Sequence, residues 1–315
     1  MLFNLKEKLV WVTGHNGLAG SAIFRRLKDE GCEVLTTSRK DVDLCNPNEV
    51  DNYVSQKKPD LIINCAGKVG GIMANINFPV NFLYENLMIQ TNIIKSAYKN
   101  SVEKLLLLGS SCIYPKNVEQ PINETSFMNG ELEKTNEYYA ISKIAGIKLC
   151  QAYRKQYDQD FICVMPTNLY GPNDNFKEEN SHVPAALLDR FHKAKVNKLE
   201  NVKVWGNGKV FREFLYVDDF ADACIFLVQN YSEEQIINIG TGHEIKIVEF
   251  AKLIANVINY DGEIIFDESK PSGIPKKLLD VSKINSLGWK SKIELEDGLT
   301  KFYSWYLSSL ENLRR

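Results

Sequence analysis

Apolar residues along this 315-residue chain keep two rhythms. Through roughly the first two-thirds, short apolar runs alternate with longer stretches whose apolar positions recur at spacings of three and four. The short runs predict strands at 9–13, 33–37, 61–65, 104–109 and 161–166, and the longer ones predict helices near 19–30, 49–57, 80–100 and 138–157. Strands alternating with amphipathic helices signal βα units, whose crossovers make neighbouring strands parallel. The expected fold class is therefore α/β, a doubly wound parallel (Rossmann) sheet.

After Tyr170-Gly171-Pro172 the rhythm changes. A polar loop runs from Asn173 to Ser181, followed by a helical stretch from about Pro184, with Asn180 or Ser181 as its cap and Pro184 in its first turn. Further on, 202–205 and 214–216 read as short strands, 219–228 as a helix and 236–239 as another strand before Gly240-Thr241-Gly242. We expect residues 1–170 to form a cofactor-binding Rossmann domain to which about 214–240 returns. A smaller substrate domain, mainly 171–315, is interleaved with it.

Composition narrows the partners. With 38 basic and 40 acidic side chains, the net charge of -2 leaves no electrostatic footprint for nucleic acid or an anionic membrane. The 7 cysteines are an odd number without metal-type pairing, and most sit in apolar runs, which favours a reducing compartment and no metal. Leu2-Phe3-Asn4-Leu5-Lys6-Glu7-Lys8 is too short and too charged for a signal peptide, and no apolar run approaches the roughly 18 residues a bilayer span needs. The expectation is a cytoplasmic protein.

Candidate chemistry begins at Thr13-Gly14-His15-Asn16-Gly17-Leu18-Ala19-Gly20, which follows the first strand and opens the first helix. In that context Gly14 permits a tight turn, Gly17 lets backbone approach a pyrophosphate, and Gly20 allows close packing, while the helix N-terminus favours negative charge. Asn16 and Leu18 complete the cofactor turn. Past the second strand, where an acidic residue would select NAD, stand Ser38, Arg39 and Lys40. A guanidinium there chelates a 2′-phosphate, so Arg39 points to NADP (NADPH). Asp43 and Leu44 lie where this fold contacts adenine.

Tyr139 and Lys143 are four residues apart in a helical segment and so share a face. A phenol has an unperturbed pKa of about 10, and a neighbouring ammonium favours its ionised form. Ser110 falls in the loop after the fourth strand, where parallel sheets bind ligands. Ser110, Tyr139 and Lys143 form a candidate dehydrogenase triad, with the hydroxyls on a substrate carbonyl oxygen as hydride reaches carbon.

These features, with Ala66-Gly67-Lys68-Val69-Gly70-Gly71-Ile72, Leu108-Gly109-Ser110-Ser111-Cys112-Ile113-Tyr114-Pro115-Lys116, Met165-Pro166-Thr167-Asn168-Leu169-Tyr170-Gly171-Pro172 and Asn180-Ser181-His182-Val183, resemble the extended short-chain dehydrogenase/reductase family over most of the chain. The densest likeness is to members that act on GDP-linked 4-keto-6-deoxy sugars. It implies inversion at C3 and C5, with Cys112 as base and His182 as acid, followed by NADPH-dependent reduction at C4. The sequence shows no group that would activate the Cys112 thiol. The likeness also implies that Lys143 and Asn168 touch the cofactor, that Arg190, Trp205, Arg212 and Lys283 hold the nucleotide sugar, and that the helices at 80–100 and 138–157 pair in a homodimer. Asn16 stands where some relatives carry Arg, which shifts weight for the 2′-phosphate onto Arg39. Three rival readings remain: a C4 reductase of a related GDP-keto-hexose or heptose without epimerisation, a 4-epimerase with tightly held NAD, and a non-catalytic NADP-sensing protein.

Overall fold

The computed structural model describes residues 2–177, 181–269 and 274–314. Among them the chain runs β1 (Leu9–Thr13), α1 (Leu18–Leu27), β2 (Glu33–Thr36), α2 (Pro47–Lys57), β3 (Leu61–Asn64), α3 (Ile72–Asn77), α4 (Pro79–Lys99), β4 (Lys104–Leu108), α5 (Glu137–Tyr157) and β5 (Asp160–Pro166). It continues through β6 (Asn168–Tyr170), α6 (Val183–Val196), β7 (Asn201–Trp205), β8 (Phe211–Arg212), β9 (Phe214–Tyr216), α7 (Val217–Asn230) and β10 (Ile237–Ile239). The last elements are β11 (Ile245–Lys246), α8 (Ile247–Ile258), β12 (Glu263–Asp267), α9 (Ser282–Ser286) and α10 (Leu295–Ser308).

Six strands form one parallel sheet in the order β10-β5-β4-β3-β1-β2. From β1 the chain goes outward to β2 on one side and to β3 on the other, so a switch in strand order opens a crevice at their carboxyl ends. Both faces are covered. Val10, Ile63 and Leu106 pack toward α1 and α7 residues such as Ile23 and Phe220. Trp11, Ile62 and Leu105 pack toward Ile93 and Ile147 of α4 and α5.

Several predicted strands end one residue early, because the chain leaves the sheet to form the crevice loops. Thr37, for instance, gives up strand pairing and accepts a hydrogen bond from Trp11 Nε1 at 3.2 Å. At α6 the expected cap is corrected. The residue preceding the helix is His182, whose side chain makes no capping bond; Asn180 lies outside the described residues, and Pro184 does occupy the first turn.

A second layer packs around Phe191, Phe250, Phe302 and Tyr306 from α6, α8 and α10, with Phe214 stacked on Phe250 at 4.1 Å. Here β7 pairs with β12, and β6 with β9, both parallel and outside the main sheet. Joining the layers is Glu213, which has no exposed surface. Its carboxylate accepts from the backbone N–H groups of Thr241 at 2.6 Å, Gly242 at 2.8 Å and Leu279 at 3.1 Å. Asn238 does similar work nearby, accepting from the Tyr114 hydroxyl at 2.6 Å and donating to Ile122 O at 2.9 Å and Asp280 O at 3.1 Å.

Candidate active site

At the carboxyl ends of the sheet lies a cleft of about 860 Å³, toward the upper end of the roughly 300–1,000 Å³ usual for ligand sites. Its first part is built by the turn from β1 into α1. Gly14 has φ +67°, and a Cβ there would meet Ala66 backbone at 2.9 Å, so a side chain fits neither the conformation nor the space. A Cβ on Gly20 would lie 2.3 Å from Gly14 O, which makes this glycine the condition for the turn to sit against its helix. No acidic residue occupies the first turn of α1, and its leading N–H groups face the cleft as donors for an anion.

Asn16, Gly17, Leu18, Arg39, Asp43, Leu44 and Asn168 line the same cleft. Arg39 lies 3.8 Å from Glu85 and 3.9 Å from Asp43, loose ion pairs that leave a largely exposed guanidinium. Lys40 is not among the lining residues. His15 Nδ1 is buried with no hydrogen-bond partner among the described residues. A turn whose glycines leave room for a phosphate, an anion-seeking helix end, an unspent ring nitrogen and a reachable guanidinium together fit a dinucleotide with a 2′-phosphate.

Farther along, Ser110 follows β4. Its hydroxyl accepts from Cys112 N–H at 3.2 Å, capping the short turn Ser111–Ile113, and lies close enough to the Tyr139 phenol to lower its pKa. One oxygen thus fixes the backbone beneath Cys112 and faces the phenol on α5. Tyr139 packs edge-on against Phe82, ring centroids 6.1 Å apart. Burial pushes the phenol well above its ordinary range; the Cys112 charge adds to that, and the nearby Ser110 hydroxyl opposes it. Lys143 donates to Leu108 O at 2.8 Å and lies 5.9 Å from the Tyr139 ring centroid. Burial lowers its ammonium to about 8. The expected push toward phenolate is therefore outweighed: desolvation dominates both groups and holds Tyr139 as a neutral donor.

Cys112 has partners that the sequence did not announce. Asn136 Nδ2 lies 3.2 Å from its sulfur and Lys277 Nζ 3.6 Å. Arg212 is close enough for the thiol charge to raise its pKa against the stronger lowering effect of burial. His182, at the start of α6, lines the cleft. Its ring meets the open cleft and is exposed, yet protein atoms crowd it at longer range. That crowding pushes its pKa down, an effect the open side weakens.

Arg190 and Trp205 are adjacent across α6 and β7, the guanidinium carbon 5.8 Å from the indole ring, and with Arg212 they line the cleft. Lys283 does not. Its ammonium is held by the Tyr231 hydroxyl at 2.7 Å, Gln235 at 2.8 Å and Glu233 at 3.1 Å, which fix α9 to the main layer. Lys277 does line the cleft, and was missed because it belongs to an extended segment without periodicity. Its neighbour in sequence, Leu278, donates to Gln120 Oε1 at 2.8 Å, and Leu279 bridges to Ile122, so the position of Lys277 is set by pairing across more than 150 residues.

Residues 10–240 match the NAD dependent epimerase/dehydratase family. The chain is 53% identical over 308 residues to GDP-L-fucose synthase 1 of Arabidopsis thaliana, covering 98% of this chain and 95% of that one. It is 49% identical to GDP-L-fucose synthase of Sinorhizobium fredii, covering 98% of each. Among solved structures, a GDP-L-fucose synthetase from Naegleria fowleri bound to NADP superposes with a TM-score of 0.92 at 28% identity, covering 100% of this chain and 98% of that one. The glycine turn, the Tyr139–Lys143 helix and the parallel sheet all lie within the matched stretch, and the chain belongs to the NAD dependent epimerase/dehydratase family.

Proposed function

We propose that this protein makes GDP-L-fucose from GDP-4-keto-6-deoxy-D-mannose by inversion at C3 and C5 followed by NADPH-dependent reduction at C4. The observation that carries it is the double role of Ser110, which accepts from the Cys112 backbone and lies close enough to the Tyr139 phenol to lower its pKa. A thiol and a proton donor are thereby held around one hydroxyl. Ser110 accepts from Cys112 N–H, so its own hydrogen is left to turn between the Tyr139 phenol and, once substrate is bound, O4.

Protons at C3 and C5 are acidified by the C4 carbonyl. Cys112 removes one, and the enolate that forms keeps its charge on O4, against Ser110 and Tyr139. Asn136 and Lys277 place donors on the sulfur, where negative charge must reside for the thiol to serve as base. His182 returns a proton on the opposite face; a lowered pKa makes its imidazolium the stronger donor with a smaller charged fraction. For the second step the glycine turn, Arg39, Asp43, Leu44, Lys143 and Asn168 would hold NADPH, which would supply the hydride for C4. Tyr139, kept neutral by burial, gives its proton to the oxygen, and Lys143 stands behind it as the nearest cation. Arg212 and Arg190 suit the diphosphate of the sugar nucleotide, and Trp205 offers a flat face to its base or sugar.

The test is NADPH consumption in deuterated water with the product followed by NMR. Label at C3 and C5 with GDP-L-fucose formed is the expected result. The Cys112→Ser enzyme should lose the label while still reducing pre-epimerised substrate. Hydride transfer without label in the unmodified enzyme would instead identify a plain C4 reductase. Among the described residues no helix is long and apolar enough to cross a membrane. A cytoplasmic homodimer is part of the proposal, supported by the free cysteines and by apolar side chains exposed on α4 and α5.

A further inference from the structure

The glycine turn is faced by a residue from the far end of the chain. Arg314 lines the cofactor end of the cleft, and a Cβ built on Gly17 would lie 3.7 Å from its Nη1. Three contacts hold it there. Phe176 N–H donates to Arg314 O at 2.8 Å. Arg314 Nη1 donates to Asn173 O at 3.3 Å. Asn173 Nδ2 in turn donates to Ser21 Oγ of α1 at 3.1 Å. The segment is thus bolted through the 173–176 loop to the very helix whose N-terminus it overlooks, while Leu313 packs against the second core.

Among the described residues the Asn173 bond is the guanidinium's one hydrogen bond, which leaves most of its five N–H donors unspent. The side chain is exposed rather than folded away. Nearby, Asp174 is 3% exposed, lines the same cleft and has an Oδ2 without a partner among the described residues. Burial raises its pKa to about 7, so it does not confront an anion with a full charge near neutral pH. Backbone N–H groups of α1 and a forked cation therefore converge on one small region, the region a dinucleotide's phosphates occupy in this fold.

We infer that Arg314 is a ligand of the cofactor's diphosphate, closing over the glycine turn from the C-terminal segment. The diphosphate is common to NADPH and NADH, whereas Arg39 faces the group that distinguishes them. The inference rests on the dinucleotide reading of the cleft.

Dissociation constants for NADPH and NADH, measured by calorimetry on the purified protein and its Arg314→Ala and Arg314→Gln variants, decide it. Both variants should weaken both cofactors by the same factor, roughly tenfold or more for loss of a charge-assisted hydrogen bond, with an unchanged melting temperature in the absence of cofactor. Arg39→Asp should weaken NADPH far more than NADH. Unchanged affinities in the Arg314 variants overturn the inference, as does a loss confined to NADPH, which would seat Arg314 on the 2′-phosphate. Failure of the unmodified protein to bind NADPH would instead remove the dinucleotide reading itself.

Discussion

Asp174 carries a carboxyl to a place that water barely reaches, and that has a consequence for stability. Its Oδ1 accepts from Asn175 N–H at 2.7 Å, which does not offset desolvation, so its pKa rises to about 7. In the unfolded chain an Asp titrates near 3.9. Between those values the folded protein holds a proton that the unfolded one has released, so this carboxyl's contribution to stability is greatest below about pH 4, falls as pH rises, and levels off above about 7. Asp174→Asn keeps the acceptor and removes the titration. Urea midpoints of the cofactor-free protein at pH 5 and pH 8 should differ less in the variant, and equal slopes would show that Asp174 is already ionised. Tyr139, Lys143 and Gly14 were legible in the sequence because helix and turn geometry fix what four or six neighbouring positions do. Asp174, Lys277 and Arg314 were not, since each acquires its role from chain far away; Lys277 reaches Cys112 across 165 positions.

For the elements, legibility was high where a buried face dictated the pattern. β1 and β9 fall where the apolar runs place them, and the other predicted strands agree within a residue or so. Helix starts were harder to read, as α6 shows: His182 precedes it with a side chain turned to the cleft rather than to the helix end, a choice set by the site and not by local propensity. Between α4 and α5 the packing is close enough to override propensity altogether. A Cβ on Gly146 would stand 2.5 Å from Gln90 Oε1 and 3.2 Å from Leu107 Cδ2. Gln90 cannot readily yield, being 1% exposed with its Nε2 bonded to Asn86 O at 2.9 Å and Ser142 O at 3.1 Å. Helix propensity favours Gly146→Ala by about 1 kcal/mol, whereas overpacking costs about 1–3 kcal/mol. Net destabilisation should appear as a lower urea midpoint; a rise would mean that the interface has slack.

At the scale of the molecule, α4 and α5 present Tyr84, Tyr138 and Ile141 to solvent, 60%, 48% and 41% exposed. On the outer side of helices whose inner sides are already packed, such residues mark a surface that another copy can cover. Ile141→Glu should shift sedimentation from dimer to monomer while the monomer keeps its circular dichroism; a monomeric unmodified protein would remove the dimer from the proposal. The family resemblance implied that these two helices pair, but nothing in the sequence announced the way the two layers are tied. That tie is Glu213, and it leaves a mark on what the chain can become. A Cβ on Gly240 would fall 2.2 Å from Glu213 Oε1, so any larger residue at 240 would expel the carboxylate that three backbone donors require. Losing Glu213 first would strand those donors in the interior. Neither position can drift before the other, and the shortest mutational routes to a different loop above the sheet pass through a poorly folded intermediate.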